Sequence, residues 1–237
     1  MQRDVEIIPL DRTKELVIAC DNSGAIGMKP MDEVSVPYET VSYYCFRVAW
    51  MECVSAGAIP LSVMIQNFCG NEAWTSLVDG IHQGMREIGT PELPITGSTE
   101  SNFTLLQSAI SVTVLGKRRK KKEQPISFSD QIKVAVIGSP LVGNEVIDQK
   151  DRIAPIGLFH WFCQQEEVLA VMPVGSKGVL AELNQMFTNS TLQFDCEMDI
   201  KKSAGPSTCF IVIYKQGGND RMKRQAGGWF HPVKIIL

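Results

Sequence analysis

The chain has 237 residues, of which 44% are hydrophobic and 21% charged, and it carries a net charge of −3. That balance fits a folded protein of one large or two small domains and excludes a disordered one. It gives no general attraction for nucleic acid, and no apolar run approaches the roughly 18 to 20 residues of a membrane span, so neither partner is expected.

Two strands are predicted first, over residues 5–10 and 16–20, joined by the polar connector DRTKE. The stretch ACDNSGAIG, residues 19–27, then reads as a strand exit rich in oxygen groups and glycine. A helix is predicted over 38–56, because Val41, Cys45, Val48 and Met51 recur at three- to four-residue steps before Gly57 and Pro60. A short strand over 61–65 leads to the polar pair Gln66 and Asn67 and then Phe68. A second helix over 71–88 carries Trp74, Leu77, Ile81 and Met85 on one stripe. A strand over 93–95 ends in TGSTESNF, and a long strand follows over 105–115.

The run KRRKKKE, 117–123, is a polyanion patch or a solvated connector; with no aromatic residues interleaved, and with Pro125 and Ser127 after it, the connector is preferred. Beyond it come a strand over 132–137, the glycine-punctuated exit GSPLVGNEV, and helices over 158–165 and 177–187. Strands over 209–214 and 233–237 complete the pattern, which indicates an α/β or α+β architecture without repeats.

Seven cysteines with no CxxC pair argue against a zinc site and a disulfide framework and read as reduced thiols. With no secretory apolar stretch in MQRDVEIIPL, a cytoplasmic location is expected. His82, His160 and His231 lie far apart and read as structural.

The acidic residues carry the functional signal. Asp21 sits in the first oxygen-rich turn, Glu100 in the second, and Asp4 just before the first strand. Glu52 lies alone in the apolar stretch VAWMECVSAGAIP, where a buried carboxylate must be paired, protonated or metal-bound. An ion pair with Arg47 is the plain alternative, although a five-residue step suits one helix face poorly. Carboxylates delivered from separate strand ends suit Mg²⁺ with nucleotide phosphates, and the turns at 21–27 and 96–102 offer N–H groups to phosphate oxygens. Neither turn is a GxxxxGK[ST] or GxGxxG loop, and ordinary turns account for both equally well.

The order of D-x-S-G, then E-C-V-S-A-G-A-I-P, then I-T-G-S-T-E resembles the ATP-binding half of the aminoimidazole ribonucleotide (AIR) synthetase, or PurM-like, superfamily. Its members include thiamine-monophosphate kinase, selenophosphate synthetase and the hydrogenase-maturation dehydratase. Glu52 with Gly57-Ala58-Ile59-Pro60 matches the family's acidic residue and Gly-Ala-x-Pro turn; Thr96-Gly97-Ser98-Thr99 aligns with its Gly-Gly-Asp/Glu-Thr signature, with Ser98 in place of the acid. In the second half Pro173-Val174-Gly175-Ser176-Lys177-Gly178 lacks the family's aspartate.

The resemblance implies an α+β, PurM-like two-domain fold. An N-terminal domain over 1–116, a mixed sheet with helices, would pair into a dimeric β-barrel; a basic linker over 117–130 and a smaller α/β domain over 131–237 would follow. It implies ATP and Mg²⁺ as cofactors, with ATP at Ser23, Gly24, Gly97, Ser98, Thr99 and Asn102 and metal at Asp4, Asp21, Glu52 and Glu100. Arg3, Lys29 and Lys177 are the candidates for neutralising a transferred phosphoryl group, and no catalytic residue is assigned. The activity implied is a small-molecule kinase acting on a nucleoside-like acceptor, α-ribazole of cobalamin salvage being the suggested one, in a homodimer. A non-catalytic nucleotide-binding protein, or another ATP-dependent enzyme of the superfamily, is the alternative.

Overall fold

The computed structural model describes residues 4–121, 126–188 and 191–236. Arg3, Leu237 and residues 122–125 of the predicted basic linker lie outside them. The described residues divide into two compact units, 4–120 and 121–236.

In the first unit the elements run β1 (Val5–Pro9), β2 (Lys14–Gly24), β3 (Ile26–Gly27), β4 (Val34–Ser35), α1 (Tyr38–Ser55), β5 (Ile59–Asn67), α2 (Trp74–Ile88), β6 (Ile95–Thr99) and β7 (Ala109–Arg119). Five of the strands form one sheet in the order β1-β2-β7-β5-β6, antiparallel except for the parallel β5–β6 pair. Its strands alternate, as a sheet with one covered face requires. Val17 and Ala19 of β2, Val63 and Ile65 of β5, and Val112 and Val114 of β7 are fully buried. They share the face on which α1 packs. On the other face Ile8 and Ile59 are exposed.

Helix α2 packs on α1 through Gly80 and Gly84, one turn apart. A Cβ at Gly80 would come within 2.1 Å of the Glu39 carbonyl oxygen, and one at Gly84 within 2.6 Å of the Phe46 ring. Only glycine allows that approach.

The basic run is not a solvated loop at its start. Lys117, Arg118 and Arg119 continue β7, and Arg118 turns inward to Glu15 of β2, Nε to Oε2 at 2.8 Å, while donating to the Ala56 carbonyl at 2.6 Å. Both side chains are nearly buried. The reason is register: Glu15 and Arg118 face each other across the β2–β7 ladder.

The second unit runs β8 (Ile132–Ile137), α3 (Glu145–Asp148), α4 (Ile156–Cys163), β9 (Val168–Pro173), α5 (Gly178–Met186), β10 (Gln193–Asp195), β11 (Phe210–Lys215), α6 (Asn219–Ala226) and β12 (Phe230–Ile236). Its sheet, β10-β12-β8-β11-β9, is antiparallel throughout. Strand β11 is buried from Phe210 to Tyr214 without alternation. On one face Val134, Ile211 and Ile213 pack with Val179, Leu183 and Met186 of α5. From the other, Phe210 meets Phe159 and Phe162 of α4 edge-on, with ring centroids at 5.1 and 5.6 Å.

The architecture is α+β with two parts, and two expectations are corrected. The first sheet does not close into a β-barrel: it is an open sheet whose outer strands β1 and β6 each have one neighbour. The second part is not α/β, because antiparallel strands, not parallel strands with helical crossovers, build its sheet.

Candidate functional site

The predicted strand exits lie inside strands. Polar residues 21–24 stay paired in β2 because β7 lies opposite them, Asp21 with Val112 and Gly24 with Ala109. The TGST segment is likewise strand β6, paired with β5 from Val63–Ile95 to Asn67–Thr99. Two rows therefore cross the sheet at one end. Asp21, Val112, Ile65 and Gly97 form one; Ser23, Ile110, Asn67 and Thr99 form the next. Strands β2 and β6 are three strand spacings apart, about 14 Å.

Ser23, Gly24, Gly97 and Thr99 are thus brought to the same end of the first sheet. Gly97 lies so close to β5 that a Cβ would come within 2.0 Å of the Ile65 carbonyl oxygen. Ser98, one residue on, belongs to the opposite face and is exposed. Asn102 sits in the loop after β6, its N–H donating to Glu100 Oε1 at 2.6 Å; the Phe103 N–H donates to the same oxygen at 3.3 Å.

The four predicted metal carboxylates are spread out. Asp4 is exposed just before β1. Asp21 is half-buried, where the Cys45 thiol of α1 donates to it; burial pushes its carboxyl up to about 6, against the hydrogen bonds from Asn22 and Cys45. Glu52 lies seven residues beyond Cys45 on α1, about 10 Å along the axis, near the end of the sheet where Cys53 meets Gly116. Glu100 holds its own loop. Among the described residues no group of three or more His, Cys, Asp and Glu side chains is placed to hold a metal ion. These four residues therefore do not fit one Mg²⁺ centre within the chain.

Beside the rows lies a polar network that has no sequence motif. Asp32 accepts from the Ser108 N–H (2.7 Å), the Ser108 hydroxyl (2.7 Å) and the Lys29 N–H (2.8 Å). Although burial opposes it, those hydrogen bonds hold the Asp32 carboxyl below its ordinary value. Ser108 Oγ is also 3.1 Å from the Tyr38 hydroxyl at the start of α1. The Lys29 ammonium donates to the Phe68 carbonyl at 2.9 Å. Asn67, almost wholly buried, donates to the Gly70 carbonyl and Thr99 Oγ1 and accepts from the Cys69 N–H.

Lys29 is thus the one candidate cation that the network places beside this end of the sheet. Lys177 is exposed in the second unit, at the start of α5. Asp32, Ser108 and Tyr38 escaped sequence reading because 76 and 70 residues separate Ser108 from its partners. Asn67 left one trace, an amide directly after a buried strand.

The first unit therefore collects at one sheet end two hydroxyls (Ser23, Thr99), a fixed ammonium (Lys29), a neutral phenol (Tyr38) and a carboxyl that changes charge near pH 6 (Asp21). Such a set can bind anionic oxygens and move a proton.

No family model matches the sequence, and no curated protein does. Solved structures do match in fold. Thermotoga maritima PurL complexed with ADP superposes with a TM-score of 0.64 at 14% identity, covering 100% of this chain and 42% of that one. The same protein complexed with ATP gives 0.63 at 15% identity, covering 98% and 42%. Escherichia coli HypE, a hydrogenase maturation protein, gives 0.62 at 10% identity, covering 93% and 79%. The chain shares their α+β fold and spans about two fifths of the PurL chain.

Proposed function

We propose that the protein is an ATP-using enzyme of the PurM-like type whose nucleotide lies across the end of the first sheet that carries Ser23, Gly24, Gly97 and Thr99. The observation that carries this reading is the fold likeness, over nearly the whole chain, to PurL structures complexed with ADP and with ATP. Hydroxyl and backbone groups of the two rows would bind phosphate oxygens, Lys29 would offset their charge, and the Asp32–Ser108 contacts would hold the Lys29 segment in place. Asn102 and Ser98 belong to the same loop and edge and would contribute at its margin.

Mg²⁺ accompanies ATP in this reading and would neutralise phosphate charge. Since the four carboxylates do not converge, no step is assigned to it; Asp21 is the group we expect a cation to affect, because burial disfavours its charged form. The finer reading is phosphoryl transfer to a small nucleoside-like acceptor, which asks mainly for positioning and charge neutralisation. α-Ribazole, and with it cobalamin salvage and a homodimer, rests on the sequence resemblance alone. A different ATP-dependent reaction of the superfamily is the second reading, favoured because both PurL and HypE share the fold.

The test is calorimetric titration with ATP and Mg²⁺, followed by ADP release with a panel of ribosides and amides, for wild type and Lys29→Ala. Saturable binding weakened at least tenfold in the variant supports the site. Riboside-dependent ADP release selects the kinase reading and amide-dependent release the second one. Absence of nucleotide binding by the wild type overturns both.

A further inference from the structure

The second unit holds a cavity of about 530 Å³ against strands β8, β11 and β12 and helix α6, lined by none of the residues assigned above. Three lysines line it, Lys133 of β8, Lys223 of α6 and Lys234 of β12, against one carboxylate, Asp130. The sheet register explains two of them. Tyr214 pairs with Lys133 across β11–β8, and the β12–β8 ladder, one step past Val233–Val134, sets Lys234 opposite Lys133. Their side chains leave the same face of neighbouring strands, about 5 Å apart at the backbone. Like charges placed directly opposite in a sheet repel. Asp195 pairs with Lys234 on its other side but does not line the cavity.

Lys223 closes the group from the last turn of α6, its ammonium 5.9 Å from the Phe230 ring centroid. Tyr214 donates to Asn219 Oδ1 at 3.0 Å. Burial pushes its phenol up to about 12, so it adds no negative charge at neutral pH. On the lysine face the wall is completed by Pro232 and the Tyr214 ring; Phe128 and Ile235, which also line the cavity, belong to the side that packs with α5. A chain of net charge −3 has thus gathered three cations around one concavity large enough for a small ligand.

We infer that this cavity binds a small organic dianion with an apolar body, of the phosphate-monoester class, its anionic end among Lys133, Lys223 and Lys234 and its body against Pro232 and the Tyr214 ring. The bound anion relieves the repulsion between the lysines, and the apolar wall selects an ester over a bare ion. This site is independent of the nucleotide reading, since every residue in it belongs to the second unit.

The probe is phenyl phosphate, titrated into the full chain by calorimetry and by NMR of the lysine and backbone amide signals, beside inorganic phosphate and phenol. The expected result is saturable binding of phenyl phosphate near about 1 mM, with shifts centred on Lys133, Lys223 and Lys234. Inorganic phosphate should bind more weakly and phenol not at all. Lys133→Gln with Lys234→Gln should weaken phenyl phosphate at least tenfold, and Lys223→Gln alone should weaken it measurably; all three positions are exposed, so folding is retained. Unchanged affinity in both variants, shifts spread over lysines elsewhere, or equal binding of phenyl phosphate and inorganic phosphate would overturn the inference.

Discussion

The two sheets bury their strands in different ways. In β7 every second residue is buried, Ile110, Val112, Val114 and Gly116, because α1 covers only one face of the first sheet. In β11 five successive residues from Phe210 to Tyr214 are buried, because α5 packs on one face and α4 on the other. A sheet covered once leaves its second face open along its whole length, whereas the candidate site stands at one end of the covered face, where Asp21 and Ser23 run beside buried Val112 and Ile110. A sheet covered on both faces leaves polar chemistry to the ends of its strands, where Lys133 and Lys234 line the cavity.

The largest expected effect tests that contrast directly. Phe210→Ala removes a ring wedged between Phe159 and Phe162 and should cost about 3–5 kcal/mol in urea denaturation. Leu61→Ser in the first unit, at a side chain 47% exposed, should cost less than about 1 kcal/mol. Comparable costs, or a Leu61 cost that grows with protein concentration, would mean that the first sheet is covered on both sides in solution.

Next in size is the ion pair that joins β2 to β7. Arg118→Met strands Glu15 and empties the Ala56 carbonyl of its donor, and should cost about 3 kcal/mol. Arg119→Met, at the exposed neighbour, should change stability by less than about 0.5 kcal/mol. Replacing Glu15 and Arg118 together by Met should recover much of the loss, since a buried pair contributes less than either half costs when orphaned. A double variant as unstable as Arg118→Met would show that the pair itself stabilises the fold.

That ion pair also marks where sequence reading stopped. The helices at 38–56 and 71–88 and the strand at 132–137 were legible because each carries its own periodicity or apolar run. Only the start of the run KRRKKKE, Lys117 to Arg119, departs from the connector reading, because the place of Arg118 depends on Glu15, 103 residues away. The same limit hid the true length of β2: Asp21, Asn22 and Ser23 look like a turn until β7 pairs with them. Helix α6, NDRMKRQA, offered only Met222 and Ala226 as buried positions, too few to show a period. Of the site, Ser23 and the TGST segment were legible as oxygen-rich stretches after apolar runs. Asp32, Ser108 and Tyr38 were not, since each is an ordinary residue until folding brings it to the others.

Asp21 gives a smaller effect with a distinctive sign. Its folded carboxyl titrates near 6 rather than at its ordinary 3.8. Between those values the folded chain binds more protons than the unfolded one, so stability falls as pH rises from about 4 to about 6. Asp21→Asn should remove that slope and stabilise the protein by about 2 kcal/mol at pH 7.5, with no gain at pH 4, in paired denaturation curves. A destabilising change at pH 7.5 would show that the carboxylate is already compensated by a cation or partner. If Asp21 serves ATP binding, the more stable variant should bind ATP with Mg²⁺ less well.

The smallest effect concerns Asp32, whose shift runs the other way. Hydrogen bonds from Ser108 and Lys29 outweigh burial and keep its carboxyl below the ordinary value. Its contribution is therefore present above the unfolded value and lost as pH falls through the folded one. Asp32→Asn should cost about 1 kcal/mol at pH 7 and nothing at strongly acid pH. The structural cost is modest because the carboxylate is largely solvated. Its consequence for the site should be larger, because Asp32 fixes the backbone of Lys29 and joins it to Ser108, beside Tyr38. An Asp32→Asn variant that loses about tenfold in ATP affinity while losing only about 1 kcal/mol of stability separates positioning from folding. Equal losses in Asp32→Asn and wild-type protein brought to the same stability by urea would assign Asp32 to folding alone. Only the first outcome makes the open end of the first sheet a binding site, with the polar network as its support.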